Sequence, residues 1–274
     1  MADIARFVAN TEIGQNFLVD RSVVDYMMAR AKLKTGDRVL EIGPGKGILT
    51  RGILATPCES LYAVELDTRL KPQLEPIAAE DPRLTIFWGD AVQFDYAALP
   101  HSPTHLIANL PYHITTPLLW TLLEKLAGSG LSYIQVMIQY EVALRFIPEA
   151  QRRDRCPLGI TLQAMGKTTL LRKVARTAFK PMPRVESALL EINISQNQAL
   201  PKDKKWRRLL SFSFSQRRKT LVNNWVTGYK MSRETALATL EKVGLPPMAR
   251  PEELDLQQWL QLAQADAFDS IAAS

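Results

Sequence analysis

Cysteine, histidine and long apolar runs are scarce in this sequence of 274 residues. Its two cysteines, Cys58 and Cys156, form no CxxC pair, which excludes a disulfide-stapled secreted scaffold and a cysteine-rich zinc site. The three histidines show no metal-ligand spacing, so we expect no metal. The first residues lack the apolar run of a signal peptide, and no later stretch approaches about 18 uninterrupted apolar residues. We therefore expect a cytoplasmic protein that does not enter a membrane.

The composition is that of an ordinary globular protein, with 46% hydrophobic and 23% charged residues, which excludes a disordered or collagen-like chain. The net charge of +6 is unevenly distributed along the chain. Residues 1–150 carry −4, residues 151–219 carry +13, and residues 220–274 carry −3. Few acidic residues in the middle segment offset its repulsion, so we interpret it as a surface for a polyanion rather than as a solvated basic face.

Short apolar runs bounded by turn signals predict strands that are buried on both faces. These runs are Arg38–Ile42, Leu61–Glu65, Leu84–Trp88, Thr104–Ala108 and Tyr133–Ile138. Helical spacing between the runs, as in Leu49–Leu54 and Pro117–Leu126, predicts an α/β fold with a parallel sheet and helices on both faces. Two later segments, Thr168–Val174 and Ala188–Ile194, are predicted to form an antiparallel hairpin that closes the sheet.

Beyond residue 195 the strand signals stop and a helical region follows. The polar segment Ser195–Pro201 predicts a linker. The predicted helices after it are Trp206–Phe214, Arg217–Val226, Ser232–Val243 and Leu254–Ala265. Gly244, with two prolines close behind it, is typical of a helix stop. The sequence therefore predicts two domains, residues 1–195 and a small all-helical domain of residues 196–274.

A glycine turn, Glu41–Gly47 (EIGPGKG), follows the first predicted strand and lets a ligand approach the backbone closely. Ile48 stands where the third glycine of a dinucleotide fingerprint would fall, which disfavours pyrophosphate binding. Glu65 ends the second strand and can accept hydrogen bonds from both hydroxyls of a ribose. Asp90 follows the third strand, where it can accept from an adenine amino group. These features on successive strands predict a nucleoside site, and the glycine spacing resembles the first motif of S-adenosylmethionine-dependent methyltransferases.

The tetrapeptide Asn109-Leu110-Pro111-Tyr112 follows the fourth predicted strand. The Asn109 side-chain oxygen and the Leu110 carbonyl can accept from an adenine amino group, which exposes the nitrogen lone pair. Pro111 biases Leu110 toward extended geometry, and Tyr112 can stack on a base that is flipped out of its helix. Catalysis would come from positioning and preorganised acceptors, without a strong base. Taken alone, the tetrapeptide is equally compatible with a polar turn that ends a strand.

Together these residues resemble the ribosomal RNA adenine dimethyltransferase family over most of the chain. Gly14–Asp20 (GQNFLVD) is similar to the family's N-terminal motif, and Gln139–Ala143 and Phe179–Ser187 (FKPMPRVES) are similar to two later motifs. By this resemblance the residues that contact the cofactor S-adenosylmethionine are Asn16, the backbone of Leu18, Gly43, Glu65, Asp90 and Asn109. The resemblance also implies that Phe179 helps to hold the target adenine. We expect Phe179 to lie outside a regular core strand because a proline-rich loop follows it.

Two further segments, Phe214–Leu221 (FSQRRKTL) and Arg250–Glu252 (RPE), resemble the helical domain of the small-subunit branch of the family. That branch dimethylates N6 of two adjacent adenosines in a hairpin loop near the 3′ end of small-subunit ribosomal RNA, in ribosome biogenesis. The positive charge of residues 151–219 predicts that Arg217, Arg218 and Lys219 bind the RNA, and the resemblance implies that this RNA is the small-subunit ribosomal RNA in the pre-ribosomal particle. We expect the protein to act as a monomer.

Three alternatives remain open: a large-subunit rRNA adenine methyltransferase, a DNA adenine methyltransferase, and a catalytically idle RNA-binding assembly factor on the same fold. The last predicts erosion of the cofactor positions, which the sequence does not show. The sequence departs from the family pattern at Thr11–Ile13, where a basic residue is common, and at Tyr140, where lysine is common. The segment Arg152–Gly159 also departs from the aromatic–glycine pattern expected there.

Overall fold

The computed structural model describes residues 15–126, 128–147, 154–194 and 204–268. Its described residues divide into two compact units. The first unit extends to Leu144 and resumes over Thr169–Ile194, and the second contains Arg145–Thr168 and the helices that follow Ile194. The segment Arg145–Thr168 was predicted to belong to the first domain, and the structure groups it with the helical unit instead. The assignment of separate functions to the two parts stays a prediction.

The secondary structure alternates strands and helices up to Gln139. The strands are β1 (Phe17–Leu18), β2 (Arg38–Ile42), β3 (Ser60–Glu65), β4 (Leu84–Trp88), β5 (His105–Asn109), β6 (Tyr133–Gln139), β7 (Gly166–Val174), β8 (Phe179–Lys180) and β9 (Ser187–Ile194). The helices are α1 (Arg21–Ala31), α2 (Ile48–Leu54), α3 (Lys71–Glu80), α4 (Thr115–Leu126), α5 (Tyr140–Phe146), α6 (Pro157–Met165), α7 (Lys204–Ser213), α8 (Leu221–Gly228), α9 (Arg233–Lys242) and α10 (Leu256–Ala263).

Seven strands form one sheet in the order β4-β3-β2-β5-β6-β9-β7. The pairs β4–β3, β3–β2, β2–β5 and β5–β6 are parallel, and β9 is antiparallel to β6. The predicted α/β sheet is therefore confirmed, and both late segments lie in it. The connection between β7 and β9 is not a simple hairpin, because it contains β8, which pairs with β1. The direction of the chain across the sheet reverses between β2 and β5, so a crevice is expected at the carboxyl ends of these strands.

The apolar runs form strands here because the central strands are covered on both faces. Val39 and Leu40 in β2, Leu106 and Ile107 in β5 and Ile134 in β6 are all fully buried. A strand with one solvated face would alternate apolar and polar residues, whereas these runs are nearly continuous. The core of the first unit thus fixes the strand ends that carry the candidate site.

The second unit is built around aromatic residues, of which Trp225 and Trp259 are fully buried. Its segment from the middle of the chain is tied to the later helices by polar contacts. Nε1 of Trp206 donates to Oγ1 of Thr161 at 2.9 Å, and the Arg155 guanidinium donates to the carbonyl of Leu254. These partners lie far along the chain from the segment they hold, which is why the composition of Arg145–Thr168 did not reveal its unit.

Helix ends in the second unit follow the expected capping chemistry, with one correction. Gly244, at φ +71°, follows α9 as the predicted helix stop requires. The predicted helix Arg217–Val226 begins only at Leu221, because the Thr220 side chain accepts the Asn223 N–H and caps α8. Arg217, Arg218 and Lys219 therefore lie in the turn before the helix, and the predicted linker Ser195–Pro201 lies outside the described residues.

Candidate active site

A cavity of about 440 Å³ lies at the carboxyl ends of β2, β3, β4 and β5. This is the position expected for a ligand site at the switch point of an open parallel sheet. The predicted site residues that line it are Asn16, Gly43, Glu65, Asp90, Asn109, Leu110, Pro111 and Tyr112. The structure thus brings together most of the residues that the sequence assigned to a nucleoside and to an adenine.

The glycine turn forms the floor of the cavity, and its backbone requires glycine. Gly43 and Gly45 have φ values of +68° and +59°, in the left-handed region that side chains disfavour. A Cβ on Gly45 would lie 2.9 Å from Cδ1 of Phe17. The turn can therefore approach Phe17 and a ligand closely only because it carries no side chain at this position.

Glu65 joins the end of β3 to the glycine turn. Its Oε2 accepts the Gly45 N–H at 3.1 Å, and its Oε1 accepts the Asp67 N–H at 2.9 Å. Burial raises the pKa of Glu65, and the two backbone hydrogen bonds oppose that rise. Each carboxylate oxygen has a second lone pair, so the group can still accept hydrogen bonds from a ligand.

Glu41, at the start of the glycine turn, is a buried acidic residue beside the main cavity to which the sequence reasoning gave no role. Its carboxyl group is fully buried, and Oγ1 of Thr50 donates to its Oε2 at 2.8 Å. Its Oε1 has no hydrogen-bond partner among the described residues. Burial raises the pKa of Glu41 to about 8. The available signal was a carboxylate inside an otherwise apolar run, which requires a structural or functional reason.

The N-terminal segment forms one wall of the cavity through contacts with three distant parts of the chain. Nε2 of Gln15 donates to Oδ2 of Asp67 at 2.7 Å. Nδ2 of Asn109 donates to the Asn16 carbonyl at 3.3 Å, which leaves Oδ1 as the acceptor of that side chain. Leu18 pairs with β8 and lines a smaller adjacent cavity with Glu41 rather than the main one. The predicted contact of the Leu18 backbone with a cofactor stays a prediction.

The carboxylate of Asp67 holds Gln15, and with it the N-terminal wall of the cavity. The Arg69 side chain hydrogen-bonds to the Asp67 carboxylate and, with help from Gln15, lowers the pKa of Asp67 to about 2. The carboxylate that holds Gln15 therefore stays ionised at physiological pH. Sequence reasoning did not assign a role to Asp67, although it stands only two residues after Glu65.

Tyr112 is fixed at its hydroxyl end while it lines the cavity. Its Oη lies 2.6 Å from Oγ of Ser187, which is fully buried at the start of β9. Burial raises the pKa of the Tyr112 phenol. The Leu110 N–H donates to the Met137 carbonyl at 3.0 Å, which fixes the backbone of the same tetrapeptide. In the sequence, Ser187 is only the last residue of the motif Phe179–Ser187, and its bond to Tyr112 arises because the fold brings together residues that are 75 positions apart.

Asp90 lines the opposite side of the cavity. Its Oδ1 accepts the Val92 N–H at 2.8 Å and its Oδ2 accepts from the Gln93 side chain at 3.1 Å. Leu66, also on the cavity wall, is 55% exposed although it is a large apolar residue. An exposed leucine beside fixed polar groups provides an apolar surface for a planar ring.

Phe179 requires a correction. Its side chain is 1% exposed and belongs to the core of the first unit, and it does not line the cavity. The expectation that it lies outside a regular core strand is wrong, because Phe179 is the first residue of β8, which pairs with β1, and its side chain packs in the core. We therefore leave Phe179 out of the residues proposed to hold a base.

The basic triad of Arg217, Arg218 and Lys219 is exposed in the second unit. The turn that presents it is organised by Asn224, which is fully buried. Nδ2 of Asn224 donates to the Ser213 carbonyl at 2.6 Å, and its Oδ1 accepts the Gln216 N–H at 3.2 Å. The side chain of Asn224 thus replaces backbone partners that the turn lacks.

In the described parts of the chain, no cluster of histidine, cysteine and acidic side chains could hold a metal ion. None of the described helices is long and apolar enough to cross a membrane. The departure at Thr11–Ile13 lies outside the described residues, as do Arg152 and Arg153. At the position where lysine is common, the Tyr140 ring lies 4.8 Å from Nζ of Lys173.

Comparison with known proteins gives a family match over nearly the whole chain. The sequence profile of the family described as "Ribosomal RNA adenine dimethylase" matches residues 6–265. The Ribosomal RNA small subunit methyltransferase A of Acinetobacter baylyi is 36% identical over 259 residues, which cover 93% of this chain and 91% of that protein. The protein of the same name from Pseudomonas fluorescens is 37% identical, with 93% and 92% covered.

Solved structures agree with the fold. A dimethyladenosine transferase from Plasmodium falciparum superposes with a TM-score of 0.76 at 25% identity, covering 89% of this chain and 95% of that one. The 23S rRNA methyltransferase ErmE superposes with a TM-score of 0.68 at 23% identity, covering 93% and 100%. The second likeness supports the fold alone.

Proposed function

The chain belongs to the ribosomal RNA adenine dimethylase family, and from that premise we propose that it dimethylates N6 of two adjacent adenosines in a hairpin loop near the 3′ end of small-subunit ribosomal RNA. The small-subunit methyltransferases that are 36–37% identical over most of their length support this choice of substrate. The observation that carries the proposal is one cavity that combines acceptors for a nucleoside with the Asn109–Tyr112 tetrapeptide.

The residues of the cavity fit S-adenosylmethionine as the cofactor. Glu65 would hold the ribose hydroxyls, Asp90 the adenine amino group, and Leu66 a face of the adenine ring. The glycine turn supplies backbone at close range, because Gly43 carries no side chain. When bound, the cofactor supplies a methyl group that is already activated by its sulfonium. A volume of about 440 Å³ is within the range of small-molecule sites.

The tetrapeptide then positions the target base. Oδ1 of Asn109 and the carbonyl of Leu110 accept from the adenine amino group, which directs the nitrogen lone pair toward the methyl donor. The Tyr112 ring stacks on the flipped base and is held in place by Ser187. Because the acceptors are fixed before the substrate arrives, they stabilise the transition state without reorganising.

The second unit contributes binding to RNA and to the pre-ribosomal particle. The exposed cations Arg217, Arg218 and Lys219 bind phosphates, and this contact links the reaction to small-subunit biogenesis. The protein acts in the cytoplasm as a monomer, with cofactor binding in residues 1–195 and RNA docking in residues 196–274. We propose to include Arg145–Thr168 in that RNA-binding part, since this segment belongs to the same compact unit as the helices.

The test is methylation of small-subunit particles isolated from a strain that lacks the gene. Primer extension across the 3′ end should stop at two adjacent adenosines after incubation with the wild-type protein and the cofactor. Asn109→Ala should retain RNA binding but lose most single-turnover methyl transfer, because Asn109 acts mainly on the transition state. Asn193→Ala, at an exposed asparagine away from the cavity, is the matched control.

Two results would overturn the proposal. Methylation of large-subunit RNA in place of the small-subunit site would assign the protein to the other branch of the family. Binding to the particle without any methyl transfer would favour an assembly factor that has lost its chemistry.

A further inference from the structure

The connection between β8 and β9, residues 181–186, lies at the edge of the sheet where the main cavity is found. Ser187, the first residue of β9, pairs with Gln139, the last residue of β6. Because β9 is antiparallel to β6, the residues before Ser187 continue beyond the carboxyl end of β6. The cavity lies at the carboxyl ends of strands that are parallel to β6, so the β8–β9 loop is on the same edge of the sheet.

Both ends of this loop are attached to residues that line the cavity. Lys180, directly before it, pairs with Phe17 in the ladder between β1 and β8. Ser187, directly after it, holds the Tyr112 hydroxyl at 2.6 Å. Phe17 and Tyr112 both line the cavity, whereas residues 181–186 do not. The loop therefore borders the cavity and forms part of its rim.

The backbone of the β8–β9 loop is held in place between these ends. The Tyr140 N–H donates to the Glu186 carbonyl at 3.0 Å. The Arg176 guanidinium donates to the Arg184 carbonyl at 3.4 Å. Pro183, in the middle of the loop, is buried. Because the loop is already ordered, a partner that contacts it loses little affinity to conformational entropy.

The loop presents apolar and basic side chains to solvent together. Met182 is 57% exposed and Val185 is 40% exposed, and they are two of the six large apolar side chains exposed in the described chain. Scattered single residues of this kind need no explanation, but here two lie within four positions at the rim of a cavity. Lys180 and Arg184 are exposed beside them.

The basic residues of the loop exceed its acidic residues. Residues 176–187 contain Arg176, Lys180 and Arg184 against one acid, Glu186. Nζ of Lys173 forms an ion pair with the Glu186 carboxylate, so this acid is already partnered. In the part of the chain that the structure describes, no carboxylate forms an ion pair with Lys180 or Arg184. These two exposed cations remain available to a polyanion.

Two further acidic residues stand on segments that adjoin the loop. Asp20, which follows β1, caps α1 by accepting the Ser22 N–H at 2.9 Å. Glu141, in the first turn of α5, adds to the effect of Glu186 in raising the pKa of Lys173. Neither of these acids forms an ion pair with the loop, so they leave its positive charge in place.

A nucleotide that is flipped into the cavity stays covalently joined to its neighbours, which must then lie at the rim. We propose that this rim holds the RNA segment next to the target adenosine, with Lys180 and Arg184 on its phosphates and Met182 on a sugar or base face. The proposal rests on the function proposed above and adds an RNA contact in the first unit to the basic triad of the second. Cations next to an apolar side chain suit single-stranded RNA, because each nucleotide offers both a phosphate and an apolar face.

The first experiment measures RNA affinity as a function of salt concentration. Full-length protein is bound to protein-free small-subunit rRNA and to small-subunit particles from a strain that lacks the gene. Lys180→Ala and Arg184→Ala should each flatten the slope of log affinity against log salt by about 0.7, as expected for one phosphate contact on a single strand. Arg184→Lys should keep the slope. Lys34→Ala, at an exposed lysine before the amino end of β2, is the matched control and should bind like the wild type.

The apolar contact has a different signature. Met182→Ala should weaken binding about fivefold at every salt concentration without changing the slope, because the methionine side chain is no longer withdrawn from water. Met182→Leu, which keeps an apolar side chain of similar size, should restore most of the affinity. Calorimetry should give wild-type S-adenosylmethionine affinity for all these variants. Wild-type RNA affinity and slope in all three alanine variants would overturn the proposal, as would a loss of RNA affinity matched by an equal loss of cofactor affinity.

A photo-crosslinking amino acid at position 182 identifies what covers the loop. With small-subunit particles, primer extension should place the crosslink directly beside the methylated adenosines, and the same amino acid at position 34 should give none there. A crosslink to a ribosomal protein, or to RNA far from the methylated site, would overturn the proposal. If the wild type methylates a different RNA, the proposed function fails, and the rim contact still requires a crosslink beside whichever adenosine is methylated.

Discussion

The hydrogen bond between Tyr112 and Ser187 allows the stacking role of Tyr112 to be tested apart from its hydroxyl. Tyr112→Phe keeps the ring but leaves the buried Ser187 hydroxyl without its 2.6 Å partner. An unsatisfied buried hydroxyl costs about 1–3 kcal/mol, so a modest fall in thermal stability is expected. Tyr112→Ala also removes the ring, and base stacking on an aromatic side chain contributes about 1–3 kcal/mol.

In single-turnover methyl transfer, Tyr112→Phe should therefore be slower by up to about tenfold, and Tyr112→Ala by about 100-fold or more. Ser187→Ala should resemble Tyr112→Phe. The double variant Tyr112→Phe/Ser187→Ala should be no worse than either single change, because replacing both partners leaves neither polar group unpaired. Equal damage from Tyr112→Phe and Tyr112→Ala would refute the stacking role and assign the hydroxyl to the chemistry. Strict additivity in the double variant would show that the two residues are not coupled.

Two glutamates give further predictions. In Glu65→Gln, the amide NH₂ must face one of the two backbone N–H groups that donate to the carboxylate in the wild type. The variant also loses the charge-assisted hydrogen bonds to the ribose, which contribute about 1.5–3 kcal/mol. Calorimetry should show S-adenosylmethionine binding weakened about tenfold or more, with the exposed Glu75→Gln as control, and unchanged affinity would contradict the assignment. Burial raises the pKa of Glu41 from 4.5 to about 8, so between these pH values the folded protein retains a proton that the unfolded chain loses. The free energy of unfolding therefore falls as the pH rises from 4.5 to about 8, by up to about 1.4 kcal/mol per pH unit. Glu41→Gln carries no charge and should remove this part of the fall in thermal melts, and an identical pH dependence in both proteins would show that Glu41 is not the cause.

The sheet and the main cavity could be predicted because their determinants are local. The runs Arg38–Ile42 and Leu84–Trp88 coincide with β2 and β4. The central strand β2 is buried and is therefore apolar along most of its length, whereas β4 lies at the edge of the sheet and is only partly buried, so the expectation that this run is covered on both faces is wrong. Glu65, Asp90 and Asn109 could be grouped from spacing alone. Each of them lies at or just after the carboxyl end of a parallel strand, and the carboxyl ends of parallel strands share one edge of a sheet.

The misplaced features depend on partners that are distant in sequence. Phe179 is buried because β8 pairs with β1, whose residues lie more than 150 positions earlier. The basic triad directly precedes the apolar positions of α8 and was predicted to belong to that helix, but Asn224 holds the turn that contains it through side-chain hydrogen bonds to the backbone of Ser213 and Gln216. Oε1 of Glu41, which has no hydrogen-bond partner in the described part of the chain, likewise has no signature in the spacing of the sequence. The environment of such residues could not be predicted from the sequence pattern, because it depends on which distant residues the fold brings into contact with them.

The pairing of β1 with β8 means that the N-terminal wall of the cavity is completed late in translation. Leu18 leaves the ribosome early, yet its strand partner Phe179 follows about 160 residues later, which at about 5–20 residues per second is roughly 8–32 s. Until then the nascent chain has the glycine turn and Glu65 but no paired β1 to close the pocket. We therefore expect an emerging chain to bind the proposed cofactor tightly only after β8 is exposed, and arrested chains that stop short of residue 179 should bind S-adenosylmethionine more weakly than the full chain.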